Sequence, residues 1–373
     1  MPHQDAPKTG PQSPRRRSLL KGLGAAAGAL AALPALAQGQ PTAEAGNVDA
    51  APHGHAEQAA QSVPFYGTHQ AGITTPRPAN GILASFDLAL SSLDDFERML
   101  RMLTERAAFL TQGGAVPQRD PKLPPADSGL LGPVVSPDNL TVTVGLGQSL
   151  FENQPWLAGL KPAHLQRMVQ FRNDALDPGL CHGDMSIQFC ANLQDTCIYA
   201  LRDILKNLSE FVVLRWVVEG SVPPELPGPD GTTPSARNFL GFRDGSANPD
   251  ASDAGAMDRI VWTTGAHEPA WAQGGSYQAV RIIRNMVERW DRTPLGEQER
   301  IFGRTKITGA PLDAPQTTER HSPDYAADPQ GAATPMTAHI RLANPRTPDS
   351  QANLILRRPF NYSRGAMKNG QLD

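Results

Sequence analysis

Three short stretches of the sequence carry side chains that could do chemistry together. The stretch "NFLGFRDGSANPD" places the carboxylate of Asp244 between Gly241 and Gly245. The stretch "MTAHIRLANPR" places the lone imidazole of His339 among small and apolar residues, and "LILRRPF" places Arg357 in an apolar segment. A carboxylate can transfer a proton, an imidazole can bind a metal, and an arginine can stabilise a developing negative charge.

Each of these residues also has an ordinary structural interpretation. A Gly-x-x-Asp-Gly sequence is more often a turn in a loop, because glycine permits tight turns. A lone histidine is more often a structural side chain, and Arg357 also fits a surface position on an amphipathic strand. An arginine inside an apolar segment is nevertheless costly unless it meets an anion. The residues alone therefore leave chemistry and structure both open.

The N-terminus predicts an exported protein. Residues 1–37 run from a basic segment into an apolar stretch and end in Ala-Leu-Ala, which is typical of a cleaved signal peptide. The sequence "RRSLLK" at 16–21 matches the twin-arginine pattern, whose route carries folded proteins and often those with a cofactor. The alternative is a basic tail followed by an amphipathic helix. Residues 38–62 are polar and aperiodic, which predicts a disordered linker.

Bulk composition excludes several classes of partner. The net charge of −3 gives no general attraction to nucleic acid or to anionic lipid, so we expect neither partner, nor membrane insertion after signal cleavage. Three cysteines give no disulfide framework, and we interpret them as structural thiols. The sequence "CHGD" at 181–184 has metal-like spacing, but no second Cys/His pair lies at ligand spacing.

Hydrophobic periodicity predicts a ferredoxin-like β-α-β-β-α-β domain over residues 63–225. The predicted elements, in chain order, are strand 81–90, helix 91–113, strands 140–147 and 185–192, helix 193–208 and strand 210–220. Loop 148–184 is longer than this fold needs, so we expect it to line something.

A second cycle of the same kind begins in residues 226–373. The predicted elements are strand 274–290, helix 293–303 and strand 353–363. The pattern would still need a strand, a helix and a final strand. The prediction is therefore an α+β chain of two ferredoxin-like domains with antiparallel sheets, the second truncated at its C-terminus.

The three stretches and their order resemble the dye-decolourising peroxidases, a haem family built from two ferredoxin-like domains. The family's Gly-x-x-Asp-Gly motif matches residues 241–245, its proximal-histidine motif matches 339–346, and its distal-arginine strand matches 356–358. Further similar segments, among them "VPFYGTHQAGI" and "WDRTPLGEQERIFGR", extend the resemblance from residue 63 to the end of the chain. The similarity is greatest to the exported bacterial branch linked to iron uptake, also called deferrochelatase/peroxidase.

The resemblance implies a haem b cofactor, one group per chain, and assigns a role to each matching residue. His339 corresponds to the axial iron ligand on the proximal face, whereas Asp244 and Arg357 correspond to residues on the distal side, where peroxide binds. The residues implied to contact the macrocycle and its propionates are Gly245, Ser246, Ala247, Asn344, Pro345 and Arg346. Because a carboxylate with the reference pKa of about 3.9 replaces the distal histidine of other haem peroxidases, we expect an acidic pH optimum.

The resemblance leaves three functions open. The first is a peroxidase that uses hydrogen peroxide to oxidise dyes or other reducing substrates. The second is a deferrochelatase that releases iron from haem and leaves the tetrapyrrole intact, and the third is a non-catalytic haem carrier in iron acquisition. Iron-transport components and a homo-oligomer are further partners that the resemblance permits.

The resemblance also carries an expectation about the C-terminus. Relatives continue past "NGQLD", and the acidic partner of the proximal histidine usually comes from that later segment. Such outer partners fix the orientation of the imidazole. A polypeptide that ends at Asp373 is therefore expected to retain haem weakly and to fold poorly.

Overall fold

The computed structural model describes residues 58–365, apart from residues 224–226, 228–230 and 266. The predicted signal peptide, most of the linker and the predicted domain boundary at 225/226 lie outside the described residues. The carbonyls of residues 59 and 61, in the last part of the predicted linker, accept hydrogen bonds from the N–H groups of Asp138 and Asn139 at 2.9 and 2.7 Å. Among the described residues, no helix is long and apolar enough to cross a membrane.

The N-terminal half has the predicted β-α-β-β-α-β order. Its elements are β1 (Asn80–Leu88), α1 (Leu93–Gln112), β2 (Gly114–Ala115), β3 (Val134–Val135), β4 (Thr141–Leu146), α2 (Gln148–Asn153), β5 (Met185–Ala191), α3 (Gln194–Asn207) and β6 (Val212–Ser221). The main sheet has the strand order β4-β5-β1-β6, and all of its pairs are antiparallel. β2 and β3 form a separate two-stranded sheet. This confirms the α+β class and the ferredoxin-like arrangement of the first domain.

Two hydrophobic periods build the core of this domain. Strand β1 places every second side chain in the hydrophobic core and helix α1 buries residues three or four apart, as their geometries require. The buried set is Ile82, Ala84, Phe86 and Leu88 on β1, and Phe96, Met99, Leu103, Ala107 and Leu110 on α1. The side chain of Ser92 starts the helix by accepting a hydrogen bond from the N–H of Asp95 at 3.2 Å.

A buried ion pair joins the two helices and gives a stability prediction. The guanidinium of Arg106 donates two hydrogen bonds, of 2.8 and 2.7 Å, to Asp203, whose side chain is 1% exposed. We expect Arg106→Met to lower the free energy of unfolding by about 3 kcal/mol, because it leaves a buried carboxylate uncompensated. Urea denaturation measures the change. The matched control Arg101→Met breaks the exposed pair with Glu97 and is expected to cost less than about 0.5 kcal/mol; equal losses would contradict the prediction.

The "CHGD" sequence forms a turn that packs against β1. His182 and Gly183 have φ angles of 62° and 140°, and a Cβ on Gly183 would lie 2.0 Å from the hydroxyl of Ser85. Asp184 accepts hydrogen bonds from the N–H of Leu88 at 3.0 Å and from Ser149 at 2.6 Å. The residues of the "CHGD" sequence therefore serve to form this turn and to attach it to β1. All three cysteines are free, and Cys190 and Cys197 are buried.

The long loop 148–184 contacts the C-terminal half of the chain. The N–H of Ala163 donates to Glu268 at 3.0 Å, and the indole of Trp271 donates to the carbonyl of Leu160 at 2.9 Å. Arg281 forms an ion pair with Asp174. The loop thus connects the two halves.

Short helices dominate the described part of the C-terminal half. They are α4 (Ala254–Ile260), α5 (Val287–Asp291), α6 (Leu295–Phe302), α7 (His339–Ala343) and α8 (Pro348–Ala352). Helix α6 is the helix predicted over 293–303. It ends at Gly303, whose φ of 88° is the left-handed conformation that commonly terminates helices.

The two strands predicted over 274–290 and 353–363 are not strands in the structure. Both segments are irregular, and helix α5 occupies the end of the first. A strand requires a hydrogen-bonded neighbour, and in the described residues these segments have only isolated bridges, Trp262–Ser276 and Ser221–Asn361. Sequence alternation indicated extended chain correctly, but it could not show that the described residues offer these segments no strand to pair with.

The end of the described chain attaches to the N-terminal sheet. Asn361 bridges Ser221 at the end of β6, and a Cβ on Gly220 would lie 2.9 Å from the carbonyl oxygen of Asn361. A Cβ on Gly81 would lie 3.0 Å from the ring of Phe360. These glycines permit the close approach that fixes the segment carrying Arg357.

Candidate active site

Asp244 and Arg357 form an ion pair. The Nη1 atom of Arg357 donates to Oδ1 of Asp244 at 3.0 Å, and the two side chains are 43% and 26% exposed, respectively. The structure therefore brings together two predicted site residues that lie far apart in the sequence. Their partial exposure keeps both side chains accessible to a small polar molecule.

Asn248 fixes the backbone of Arg357 and was not predicted. Its side-chain amide donates to the carbonyl of Arg357 at 3.0 Å and accepts from the N–H of Arg357 at 2.9 Å. This two-way contact replaces the strand pairing that the arginine segment lacks. The sequence offered only one signal for it, an asparagine four residues after Asp244, and such a residue is usually a turn former.

The Gly-x-x-Asp-Gly segment is a tight loop with two glycines in the left-handed region. Gly241 has a φ of 84° and Gly245 a φ of 138°, and a Cβ on Gly241 would lie 2.6 Å from the side chain of Lys306. The N–H of Asp244 donates to the carbonyl of Ala236 at 2.8 Å. The turn interpretation and the functional interpretation therefore hold together, because the turn presents Asp244 to Arg357.

His339 is the first residue of α7, and its side chain is exposed to solvent. Burial by the surrounding protein nevertheless lowers its pKa; Arg357 lowers the pKa further, and Asp244 raises it. The charges of Arg357 and Asp244 therefore both act on the imidazole of His339. We call Asp244, Arg357 and His339 together the distal–proximal cluster. A lowered pKa favours the neutral imidazole, which is the form that binds metals.

Aromatic ring contacts link the Gly-x-x-Asp-Gly loop to His339. Phe242, inside the Gly-x-x-Asp-Gly loop, stacks on Phe302 with ring centroids 4.0 Å apart and planes 3° from parallel. The ring of Phe302 lies 5.6 Å from the ring of His339. Phe302 is the last residue of helix α6, so this helix sets the spacing between the loop and α7. The sequence alone did not connect α6 with either of them.

The segment after α7 presents an arginine with an unsatisfied donor. Arg346 has a φ of 58°, and its N–H donates to the side chain of Asn344 at 3.1 Å. Its Nε atom is buried without a hydrogen-bond partner. A buried guanidinium donor of this kind suits a carboxylate, such as a haem propionate. The other predicted contact residues differ: Ala247 and Pro345 are exposed, and Gly245 is half-buried.

Comparison with known proteins identifies the family. The family model described as Dyp-type peroxidase, N-terminal, matches residues 70–221, and that described as Dyp-type peroxidase, C-terminal, matches residues 235–373. The chain belongs to the Dyp-type peroxidase family. A relative from Escherichia coli strain K12, named Deferrochelatase, is 49% identical over 370 residues, which are 98% of this chain and 85% of that protein.

Solved structures agree with this assignment. A Dyp-type peroxidase from Cellulomonas bogoriensis is 34% identical with a TM-score of 0.73, covering 85% of this chain and 83% of that chain. The oxyferrous complex of DtpA from Streptomyces lividans is 32% identical with a TM-score of 0.73 and the same coverage of both chains. This Dyp-type peroxidase is thus a haem enzyme. Its residues fit that group: His339 offers an accessible imidazole, and Arg346 offers an unsatisfied buried donor.

Proposed function

We propose that this protein is an exported haem b peroxidase that uses hydrogen peroxide to oxidise dyes or other reducing substrates. The observation that carries the proposal is the ion pair of Asp244 and Arg357, 3.0 Å long, whose charges both act on the imidazole of His339. Cleavage of an O–O bond needs a group that moves a proton and a group that stabilises negative charge, and the carboxylate and the guanidinium can fill these roles.

Each of these residues has a distinct role in the proposal. His339 would hold the iron, and Arg346 would pair with a haem propionate. When bound, haem would supply the iron at which peroxide is cleaved and which accepts the substrate's electrons. Asp244 removes a proton from one peroxide oxygen and delivers it to the other. Arg357 stabilises the negative charge that develops on the departing oxygen, which leaves as water.

Dye bleaching by the haem-loaded full chain tests the proposal. We expect bleaching of an anthraquinone dye to require hydrogen peroxide and to consume it in proportion to the dye oxidised. The control is the same preparation without peroxide. Free haem at equal concentration measures the background reaction, and a rate no higher than that background would contradict the peroxidase function.

Deferrochelatase activity is the second candidate. The name of the 49% identical relative favours it. Removal of iron from haem needs protons at the pyrrole nitrogens and no peroxide. The haem-loaded protein is therefore incubated anaerobically without peroxide, and free porphyrin is sought by its fluorescence. Porphyrin released in proportion to the protein supports this function, whereas intact haem together with peroxide-dependent bleaching supports a peroxidase alone.

We also propose export through the twin-arginine pathway, which residues 16–21 support. The double variant Arg16→Lys, Arg17→Lys is expected to retain the protein in the cytoplasm, because the pathway depends on the arginine pair. Cell fractionation followed by immunoblotting measures the distribution. Replacement of Arg15 by lysine is the matched control. Normal periplasmic recovery of the double variant would contradict the proposal.

A further inference from the structure

A buried carboxylate lies behind the Gly-x-x-Asp-Gly loop and joins its two ends. Glu319 accepts a hydrogen bond from the N–H of Ser235 at 2.7 Å and another from the Ser235 hydroxyl. It also accepts from the hydroxyl of Ser246 at 2.6 Å. Ser235 directly precedes Ala236, whose carbonyl accepts a hydrogen bond from the N–H of Asp244. Ser246 directly follows Gly245. One side chain thus connects the chain before Asp244 to the chain after it.

Glu319 is itself held in place. Glu319 is 5% exposed and Ser235 is 4% exposed, so both are buried. The buried guanidinium of Arg304 donates to the carbonyl of Glu319 at 2.9 Å and to that of Gly309 at 2.7 Å. Because its backbone is fixed, the carboxylate can define the position of the loop and does not simply follow it.

The carboxylate of Glu319 is stabilised by hydrogen bonds. No lysine or arginine in the described part of the chain forms an ion pair with it. Burial raises the pKa of Glu319, but the hydrogen bonds from Ser235 and Ser246, with a smaller effect from the charge of Arg320, outweigh burial and bring the pKa below its ordinary value. A buried charge without an ion pair is costly, so its hydrogen bonds must compensate.

Close packing makes the loop sensitive to this contact. A Cβ on Gly245 would lie 3.2 Å from the Cβ of Ser235. The two chain segments that Glu319 bridges therefore already touch. Within the described part of the chain, loss of the bridge leaves the Ser235 N–H and the Ser246 hydroxyl without a side-chain acceptor.

We propose that Glu319 is a positioning residue of the peroxidase site, whose carboxylate clamps Ser235 to Ser246 and so holds Asp244 against Arg357. The proposal rests on the function proposed above. Glu319 acts through the loop and does not touch the reacting molecules. The proposal predicts that the hydrogen-bonded bridge matters more than the negative charge of Glu319. A glutamine at this position can also form the bridge, because its side-chain oxygen accepts from the N–H of Ser235 and its amide N–H groups donate to the two serine hydroxyls.

Four variants test this proposal. Glu319→Ala removes the bridge, Glu319→Gln keeps it, and Asp184→Ala is the matched control. Asp184 is also buried and also accepts from a backbone N–H and a serine hydroxyl, but it lies in the N-terminal domain. Ser235→Ala removes only one hydroxyl contact and serves if Glu319→Ala fails to fold.

The readouts separate positioning from general stability. In the haem-free protein we expect Glu319→Ala to speed amide hydrogen exchange in residues 235–248 at least tenfold, whereas Glu319→Gln changes it less than threefold. In the haem-loaded protein we expect Glu319→Ala to weaken fluoride binding at least fivefold, because fluoride needs the donor of Arg357. Ser235→Ala is expected to lie between the wild type and Glu319→Ala. Asp184→Ala is expected to lower the melting temperature and leave both quantities unchanged.

The opposite pattern would overturn the proposal. If Glu319→Ala lowers the melting temperature as Asp184→Ala does, with fluoride affinity and loop exchange unchanged, Glu319 is only structural. The exchange experiment needs no haem and no turnover. A wild-type protein that bleaches no dye therefore counts against the proposed function, while exchange in residues 235–248 still decides the role of Glu319.

Discussion

We expect the His339→Ala variant to lose its haem. Among the described residues, the imidazole of His339 is the accessible nitrogen ligand on which the charges of Asp244 and Arg357 act. Removal of an outer partner of a metal ligand already costs about 10–100-fold in affinity, so loss of the ligand itself should exceed about 100-fold. Titration of the haem-free protein with haem, followed by the absorption band of the complex, measures this affinity.

A second histidine provides the control for this experiment. His164 is exposed, and its ring has only an edge contact with Tyr277 at 6.1 Å. His164→Ala should therefore bind haem like the wild type. Added imidazole should restore the absorption band of His339→Ala, because the cavity left by the side chain can admit the free ligand. Wild-type haem affinity in His339→Ala would show that another residue holds the iron.

The N-terminal domain was predictable because its elements satisfy their own periodicities. β1 buries alternate residues from Ile82 to Leu88, and α1 buries residues at helical spacing from Phe96 to Leu110. The C-terminal half was harder to predict. The segment that contains Ile283 alternates like a strand, yet Ile283 is 69% exposed. Alternation indicates an extended chain but not whether another strand pairs with it.

The site shows the same division between what a motif records and what only the fold supplies. The sequence indicated Asp244, His339 and Arg357 because they stand in recognisable motifs, and the structure brings them together. Asn248, Phe302 and Glu319 were missed. Each of them makes its contact with a residue far along the chain. Asn248 contacts Arg357, 109 residues away, Phe302 contacts His339, 37 residues away, and Glu319 contacts Ser235, 84 residues away. Nothing local distinguishes a bridging glutamate from a surface one.

Replacement of either member of the distal pair should slow the reaction with peroxide and leave haem binding intact. Asp244→Asn removes the group that moves the proton, which typically contributes about 10²–10⁴-fold. Arg357→Leu removes the donor that stabilises the departing oxygen, worth about 10²–10³-fold. Stopped-flow absorption at several peroxide concentrations gives the second-order rate constant for each variant. Asp250→Asn is the control, since Asp250 is exposed and its side chain accepts hydrogen bonds from Ser252 in the same loop segment.

The double variant distinguishes a cooperating pair from two independent residues. Arg357 is the hydrogen-bond partner of Asp244 at 3.0 Å, so each single variant also disturbs the position of the other side chain. We therefore expect the combined loss to be smaller than the product of the two single losses, as for groups that act as a unit. A loss equal to that product would mean that the two residues act separately. Unchanged peroxide rates in both single variants would instead place the chemistry elsewhere and leave the ion pair with a structural role.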